Sequence, residues 1–254
     1  MDDQYLQLIY VGHSTIFIDM DGTQLLTDPF LRRWIWHLRR KKIPIDDRVV
    51  GEIDAILISH AHWDHLDLKS LQIFRRDVLL VVPRGLGKFL QKKGFVNVSE
   101  VTESEELPVG SLTVQVTRAK HDGSRFPFGP STEPVGYRIN GSRTIYFPGD
   151  TDLFPEMTAI GEGLDIALMP VWGWGPTLGS GHLDPAGAAR AVELLKPQLA
   201  IPIHWGTLYP IGLNILMPNF LVNPPLQFRS EVNQLTPTVK VIILDPGEIY
   251  RGDY

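Results

Sequence analysis

The feature that most constrains the fold of this chain is the run Ser59-His60-Ala61-His62-Trp63-Asp64-His65. It follows a short apolar run that is typical of a buried strand. His60 and His62 stand two positions apart at the strand end, so their rings can point the same way. Asp64 and His65 follow in the turn and can reach a second point nearby. Imidazole nitrogen and carboxylate oxygen suit zinc, manganese and iron. The run therefore predicts a metal site at the end of a strand within a sheet.

Three more residues of the metal-binding types follow predicted strands. His121, Asp150 and His204 each come shortly after a run with the apolar pattern of a strand. Loops at strand ends gather on one edge of a sheet, so we expect these side chains to lie near the first motif. Seven such residues favour a site for two metal ions. The alternative is a one-metal site in which the other residues orient the ligands.

The chain is rich in strand patterns first and has helices interspersed later. Two dipeptides, Asp21-Gly22 and Asn140-Gly141, are typical of hairpin turns, and Asp184 with Pro185 is typical of a helix start. The predicted strands span 5–11, 15–20, 24–27, 55–59, 78–82, 111–117, 135–139, 143–147, 165–169, 199–203 and 239–244, and the predicted helices span 84–93, 185–196 and 225–235. We expect an α/β (α+β) fold in which two sheets pack face to face with helices outside, in one domain over 1–254.

The composition narrows the function classes. Apolar residues make up 43% of the 254, enough for a large core. The absence of cysteine excludes disulfides, thiolate ligands and a cysteine nucleophile. The net charge of −5 disfavours nucleic acid as a partner. The start Met1-Asp2-Asp3 is unlike a signal peptide, and no apolar run is long enough to span a membrane. We expect a cytoplasmic protein.

Six stretches, taken in order, carry a resemblance to a known family. They are Val11-Gly12-His13-Ser14-Thr15, Leu26-Thr27-Asp28-Pro29, the His60–His65 run, Gly149-Asp150-Thr151, His182-Leu183-Asp184-Pro185 and Ile203-His204-Trp205-Gly206-Thr207. Together they resemble the metallo-β-lactamase-fold hydrolases. The pattern is most similar to the branch that contains N-acyl-phosphatidylethanolamine-hydrolysing phospholipase D and ascorbate-6-phosphate lactonase. The resemblance implies a four-layer αββα sandwich with the site at one edge of the sheets.

The resemblance also implies a ligand set for two divalent ions, with zinc as the first expectation and manganese or iron as alternatives. One metal would be held by His60, His62 and His121, the other by Asp64, His65 and His204, and Asp150 would bridge them. A hydroxide shared by the two metals is the expected nucleophile. We expect Asp64 and His182 to be catalytic, with His182 donating a hydrogen bond or proton to the substrate.

Other residues near the predicted site have two interpretations each. Trp172 and Trp174 lie in a Gly-Pro-rich loop after a predicted strand; they form a pocket wall that contacts substrate, or they pack beneath the loop. His182 either faces the substrate or helps to cap the helix that follows. His13 and Asp28 are interpreted as groups that orient ligand rings.

The segment 31–42 is unusually basic, with six Lys or Arg and no acidic residue. Leu31, Trp34, Ile35 and Leu38 fall at helical spacing, which predicts an amphipathic helix. Such a helix could contact an anionic membrane or hold a phosphorylated substrate. The alternative is an ordinary surface helix whose apolar stripe packs on the domain.

These observations predict a two-metal hydrolase acting on a phosphodiester or phospholipid-like substrate. A lactone or ester hydrolase on the same site is the second hypothesis, and a catalytically silent metal-binding protein is the third. The expected partner is a small-molecule or lipid-like substrate. The oligomeric state is left open, with a homo-oligomer among the alternatives.

Overall fold

The strands at the start of the chain are buried on both faces. In β1 (Leu6–Gly12), Leu6, Leu8 and Tyr10 point into the core between the two large sheets. Ile9 and Val11 point the other way, into a second apolar layer. A strand buried on both faces shows a continuous apolar run instead of alternation, and this run is what makes the strand recognisable in the sequence.

The computed structural model describes residues 5–125 and 129–252. Within these residues one seven-stranded sheet consists of β1, β2 (Thr15–Met20), β3 (Thr23–Thr27), β6 (Ala55–Leu57), β7 (Leu79–Pro83), β8 (Val98–Val101) and β17 (Ile249–Arg251). Its strand order is β17-β1-β2-β3-β6-β7-β8. The start Met1-Asp2-Asp3, interpreted above as unlike a signal peptide, lies outside the described residues.

The second seven-stranded sheet faces the first. It consists of β9 (Glu106–Val109), β10 (Leu112–Arg118), β11 (Val135–Asn140), β12 (Thr144–Phe147), β13 (Ile166–Pro170), β14 (Leu199–Ile203) and β16 (Lys240–Val241). Its order is β16-β14-β13-β12-β11-β10-β9. A small third sheet has the order β15-β5-β4 and consists of β4 (Trp34–Ile35), β5 (Leu38–Arg40) and β15 (Leu208–Pro210).

Helices cover the outer faces of both large sheets. They are α1 (Leu68–Leu71), α2 (Gly87–Gln91), α3 (Met157–Ile160), α4 (Pro185–Leu195), α5 (Leu213–Leu216) and α6 (Asn223–Leu235). Leu71 and Leu90, on α1 and α2, pack in the layer outside the first sheet. Ala188 and Phe228, on α4 and α6, belong to the same buried apolar cluster as the strands of the second sheet. The predicted α/β sandwich is confirmed. Among the described residues, no helix has the length and apolar character needed to cross a bilayer.

Local signals set several element ends as predicted. Asp21 and Gly22 both have positive φ, 53° and 75°, as the turn between β2 and β3 requires. The side chain of Asp184 caps α4 by accepting a hydrogen bond from the Gly187 N–H at 2.7 Å. The predicted helix 84–93 is shorter, with only α2 helical. The predicted strand 239–244 shrinks to β16, and β17 was not predicted.

The predicted helix in the basic segment is wrong. Trp34 pairs with Arg39 and Ile35 with Leu38 in a hairpin, and Arg39 pairs with Tyr209 of β15. Ile35 and Leu38 are buried against Phe30, while Trp34 is 67% exposed. The segment is therefore a hairpin and not a helix. Its four apolar residues fall at helical spacing, but pairing with a strand 170 residues later decided the structure.

Candidate metal centre

Strand direction brings the polar residues to one place. In the first sheet β1, β3 and β6 run in the same direction, and in the second sheet β10, β12 and β14 do so. The carboxyl ends of these six strands lead into the polar residues: His13 after β1, Asp28 after β3, His60–His65 after β6, His121 after β10, Asp150 after β12 and His204 after β14. All seven predicted ligands therefore meet at one edge of the sandwich.

Asp150 lies at the centre of this cluster, and its side chain is only 2% exposed. Its Oδ2 is 3.2 Å from Nε2 of His65 and 3.2 Å from Nε2 of His182. Its Oδ1 is 3.1 Å from Nε2 of His204. The Nε2 atoms of His60 and His121 are both 4.0 Å from Oδ2. One carboxylate thus reaches imidazoles from both sheets.

Four of the imidazoles have the nitrogen that faces away from the centre bound to an acceptor. The pairs are His60 Nδ1 with Ser59 Oγ at 2.9 Å, His65 Nδ1 with Asp28 Oδ2 at 2.7 Å, His121 Nδ1 with the Gly181 carbonyl at 2.8 Å, and His204 Nδ1 with the Trp172 carbonyl at 2.7 Å. An Nδ1–H that donates in this way leaves the Nε2 lone pair directed inward. This is the arrangement that metal-binding histidines adopt.

The ligand atoms of the cluster form four groups, in each of which all atoms lie within 4.8 Å of one another, and two of these groups share no residue. One group is His60, His62 and His121, and the other is His13, Asp64, His65 and His204. The buried Nε2 of His60 has no hydrogen-bond partner in the described part of the chain. Nitrogen atoms of different rings also face each other at 3.2 Å, as in His65 with His204. A cation between them would satisfy these lone pairs, so the residues present fit a metal ion.

His13, interpreted from the sequence as a group that orients ligand rings, lies within the cluster of potential metal ligands itself. Its Nε2 is 2.9 Å from Asp64 Oδ2, and its ring centre is 3.9 Å from that of His204. His13, Asp28 and His204 all have positive φ, at 58°, 33° and 63°. Non-glycine residues adopt this conformation at a cost, and it concentrates at functional sites. Nothing in the local sequence signals it.

Asp28 orients the His60–His65 run through hydrogen bonds. Besides His65, it accepts hydrogen bonds from the Ser59 N–H at 2.7 Å and the Ser59 hydroxyl at 2.5 Å. The Ser59 hydroxyl also accepts from His60. Burial raises the pKa of Asp28, and the hydrogen bonds from His65 and Ser59 oppose that effect. Asp28 therefore orients a residue of each metal-ligand group, as its sequence interpretation proposed.

The electrostatics of the cluster favour bound cations. Burial would raise the pKa of Asp150, but His204 and His65 hold it well below its usual value. Burial lowers the pKa values of His60 and His204 well below normal, so these rings are neutral. Burial also opposes charge on His65, yet the Asp150 and Asp64 carboxylates raise its pKa well above the usual value. Ionised carboxylates and neutral imidazoles are the forms that bind metal, so among the seven predicted ligands it is only at His65 that a cation must first displace a proton.

Two glycines are required where the loops meet. Gly149 has φ of 62°, and a Cβ there would lie 2.4 Å from the Ser59 Cβ. Gly181 has φ of 77°, and a Cβ there would lie 2.9 Å from Nδ1 of His121. The absence of a side chain at each position lets the Asp150 loop and the 179–182 loop approach the ligands.

A pocket of about 510 Å³ opens over the cluster. Its floor is formed by His62, Asp64, Asp150 and His182, and its walls by Ile35, Trp36, His37, Leu38, Trp63 and Trp174. Trp36 contacts Trp63 at 5.7 Å between ring centres, and His37 contacts Trp174 at 5.5 Å. The tip of the β4–β5 hairpin thus bridges two sides of the pocket. The helical interpretation of this segment missed these wall residues.

Of the three predicted substrate-contacting residues, two line the pocket and one does not. Trp174 and His182 line the pocket. The indole of Trp172 instead donates to the Gly175 carbonyl at 2.8 Å, and its own carbonyl orients His204. Among the described residues, the pocket lining does not include Trp172. Its position matches the packing interpretation.

Arg125 is a further residue that the sequence did not single out. It is buried, and one of its terminal nitrogens donates to the carbonyls of Ala61 and Leu66, both at 2.8 Å. Its guanidinium carbon lies 3.8 Å from the centre of the Trp63 ring. The two carbonyls bracket His62, Asp64 and His65, so Arg125 holds the metal-binding loop in shape.

Comparison with known proteins agrees with this geometry. Residues 23–205 match the Beta-lactamase superfamily domain. The chain is 33% identical to a UPF0173 metal-dependent hydrolase of Methanopyrus kandleri, over 97% of this chain and 100% of that protein. It is 34% identical to a UPF0173 metal-dependent hydrolase of Deinococcus radiodurans, over 96% and 98%.

A solved structure extends the match. Igni18, described as a novel metallo hydrolase from Ignicoccus hospitalis, superposes with a TM-score of 0.75 at 26% identity and covers 98% of this chain and 99% of its own. The predicted superfamily is confirmed, while the phospholipase and lactonase branch stays a prediction. The chain belongs to the beta-lactamase superfamily and, within it, to the UPF0173 family of metal-dependent hydrolases.

Proposed function

We propose that this protein is a two-metal hydrolase that cleaves esters or lactones whose remaining part is apolar. His60, His62 and His121 would hold one metal, and Asp64, His65 and His204 the other, with Asp150 between them. The support is that Asp150 reaches rings from both groups, at 3.2 Å for His65 and 4.0 Å for His60 and His121. Zinc is the first expectation, since nitrogen and oxygen ligands of this kind suit it.

Bound divalent ions lower the pKa of a water ligand and polarise a carbonyl oxygen. The chain's own contribution begins with His182. Burial lowers its pKa, but the hydrogen bond and charge of Asp150 raise it to about 9. Its Nδ1 lies 3.2 Å from the Gly179 and Ser180 carbonyls, which accept a hydrogen bond from the Nδ1–H. His182 therefore holds a proton at Nε2 beside the pocket and can donate it to a leaving oxygen.

One observation favours an uncharged acyl substrate over a phosphodiester. Among the described residues, no lysine or arginine lines the pocket, and its walls are aromatic or aliphatic. An anionic diester is usually held by Arg or Lys. The walls instead offer apolar area and rings with which a substrate can stack.

The basic segment does not supply the missing cations. Arg32 pairs with Asp67 at 2.8 Å. The buried Arg40 donates to the Val11 carbonyl at 2.7 Å. Arg33 and Arg39 line a separate groove. The phosphodiester substrate that the sequence favoured stays a prediction, and the same experiment tests it.

The test compares hydrolysis of p-nitrophenyl hexanoate, a medium-chain lactone and bis-p-nitrophenyl phosphate. The protein is loaded separately with zinc and with manganese, and the Asp150→Asn variant is the control. Turnover of the ester or lactone that the variant loses supports the proposal. Preferential turnover of the diester would instead identify the protein as a phosphodiesterase. If chelation lowers the melting temperature and no substrate is turned over, the protein is a silent metal binder.

A further inference from the structure

The three-stranded sheet has one covered face and one open face. Ile35, Leu38 and Leu208 pack on Phe30 beneath it. On the opposite face Trp34 pairs with Arg39 across the hairpin, and Arg39 pairs with Tyr209. Trp34 lies on the edge strand β4 of this open face, and a tryptophan left 67% exposed is unusual for a surface that meets only water.

The chain next to this sheet is apolar and uncharged. Residues 197–228 contain no Asp, Glu, Lys or Arg. Ile211 donates its N–H to the His37 carbonyl at 3.0 Å, which ties this segment to the hairpin tip. Ile215 and Leu216, in α5 just beyond, are 78% and 77% exposed. Together with Met217, which is 51% exposed, they form an exposed apolar stretch of chain that follows Ile211.

Arginine and lysine side chains, with no acidic residue among them, border this surface. Arg33 and Arg39 line a groove together with Trp34 and Ile211. Lys41 and Lys42 follow and are exposed. Residues 31–45 contain no Asp or Glu. We call the surface formed by these residues the Trp34 face: Trp34, Ile211, Ile215, Leu216 and Met217 with Arg33, Arg39, Lys41 and Lys42.

We propose that the Trp34 face docks on an anionic lipid surface. Tryptophan and aliphatic side chains enter the region between lipid headgroups and acyl chains, and Lys and Arg beside them are attracted to anionic headgroups. The charge pattern favours this partner over a second copy of the chain. A symmetric dimer through this face would bring its like charges together, without an acidic residue in 31–45 or 197–228 to oppose them.

The Trp34 face lies next to the pocket, so docking on a lipid surface would bring the pocket close to that surface. Trp36 and His37 at the hairpin tip line the pocket, and Ile211 of the Trp34 face is bonded to His37. The pocket mouth therefore lies beside the docking surface. An apolar substrate dissolved at the interface would reach the pocket over a short path. The docking itself does not depend on which bond the enzyme cleaves.

The test is co-sedimentation of the metal-loaded protein with phosphatidylcholine vesicles that contain either none or about 30% phosphatidylserine. One variant combines Arg33→Gln, Arg39→Gln, Lys41→Gln and Lys42→Gln; Arg40 is kept because it is buried. A matched control removes four exposed cations elsewhere: Lys69→Gln, Lys88→Gln, Lys92→Gln and Lys240→Gln. A second variant is Trp34→Gln. Thermal melting and metal content, measured on every variant, show that each is folded and loaded.

We expect the unmodified protein to bind only the anionic vesicles and to lose binding at about 0.5 M salt. The four-cation variant should bind at least about tenfold more weakly, and the control should bind normally. Trp34→Gln should also weaken binding. No sedimentation of the unmodified protein, or equal loss in the control, overturns the proposal. A dimer of the unmodified protein in light scattering that Trp34→Gln converts to a monomer assigns the face to a second copy instead.

Discussion

Asp28 accepts a hydrogen bond from Nδ1 of His65 at 2.7 Å, and both side chains are completely buried. They are 37 residues apart in sequence and meet because β3 and β6 are parallel neighbours that end together. The bond turns Nε2 of His65 toward Asp150, 3.2 Å away. An outer carboxylate thus sets the orientation of a metal-binding ring.

Asp28→Asn is expected to weaken metal binding by about 10- to 100-fold, because the neutral amide polarises His65 less and places an NH₂ group against Ser59. The measurement is a competition titration with a chromogenic chelator. Asp54→Asn is the matched control, since Asp54 is exposed and its side chain accepts a hydrogen bond from the Gln24 N–H, away from the metal-binding residues. Equal affinity in the two variants would remove Asp28 from the site.

Asp150→Asn is expected to reduce turnover by more than about 100-fold while the protein stays folded. The reason is that a neutral amide would be a poor shared ligand between the two sets of metal-binding residues. Steady-state hydrolysis and thermal melting measure the two effects. Asp152→Asn is the control: Asp152 lies two positions away, its side chain contacts Lys120 and the Leu153 N–H at the surface, and the variant should keep full activity. Full activity in Asp150→Asn would contradict the two-metal assignment.

Metal affinity is expected to rise as the pH is raised above neutrality. Burial opposes the charge on His65, but the Asp150 and Asp64 carboxylates raise its pKa well above normal in the metal-free protein. The ring therefore keeps its proton at neutral pH, and a metal that takes Nε2 must displace it. Raising the pH removes this competition, so binding strengthens. Calorimetry in buffers of different ionisation enthalpy counts the released protons; a pH-independent affinity without proton release would contradict the expectation.

Trp174→Ala is expected to raise KM for an aryl or long-chain ester by about tenfold, since one stacking wall of the pocket is lost. The value of kcat should change much less, because the residue does not touch the metal-binding groups. Trp34→Ala is the control, because Trp34 is exposed but lies outside the pocket lining. If both variants behave alike, the pocket walls do not select the substrate.

Arg125→Lys is expected to destabilise the protein by about 1–3 kcal/mol. The single ammonium group cannot keep both carbonyl contacts, to Ala61 and Leu66, together with the stack on Trp63. Metal affinity should fall with it, because the loop that holds His62, Asp64 and His65 loosens. Arg75→Lys, at an exposed pair with Asp77, should change neither. Normal melting and normal affinity in Arg125→Lys would show that the loop keeps its shape without the clamp.

Several elements could be read from the sequence because local chemistry fixes them. The Asp21-Gly22 turn depends on two residues that tolerate positive φ. The start of α4 depends on a side-chain cap and a proline. The run His60–His65 marks a metal site because its ligands are nearly adjacent. In each case the interacting groups lie within a few positions, so the signal survives without the fold.

Features that depend on distant pairing were missed or misjudged. The hairpin at Trp34–Arg40 looked helical because its partner, β15, is far along the chain. The strand β17 was missed because β1, its partner, lies at the opposite end. Arg125 gave no signal, since its two acceptors are backbone carbonyls that any sequence provides.

The sequence by itself determined the strand–loop pattern, the helix caps and the seven residue types suited to a metal, because each of these is written in neighbouring residues. Only the tertiary structure decided that Asp150 lies between rings from both sheets, that His13 enters the cluster and that the basic segment turns its cations away from the pocket. These relationships depend on strand direction and sheet pairing, which bring together groups separated by 50 to 200 residues. Neighbouring residues in the sequence do not indicate which distant groups will come into contact.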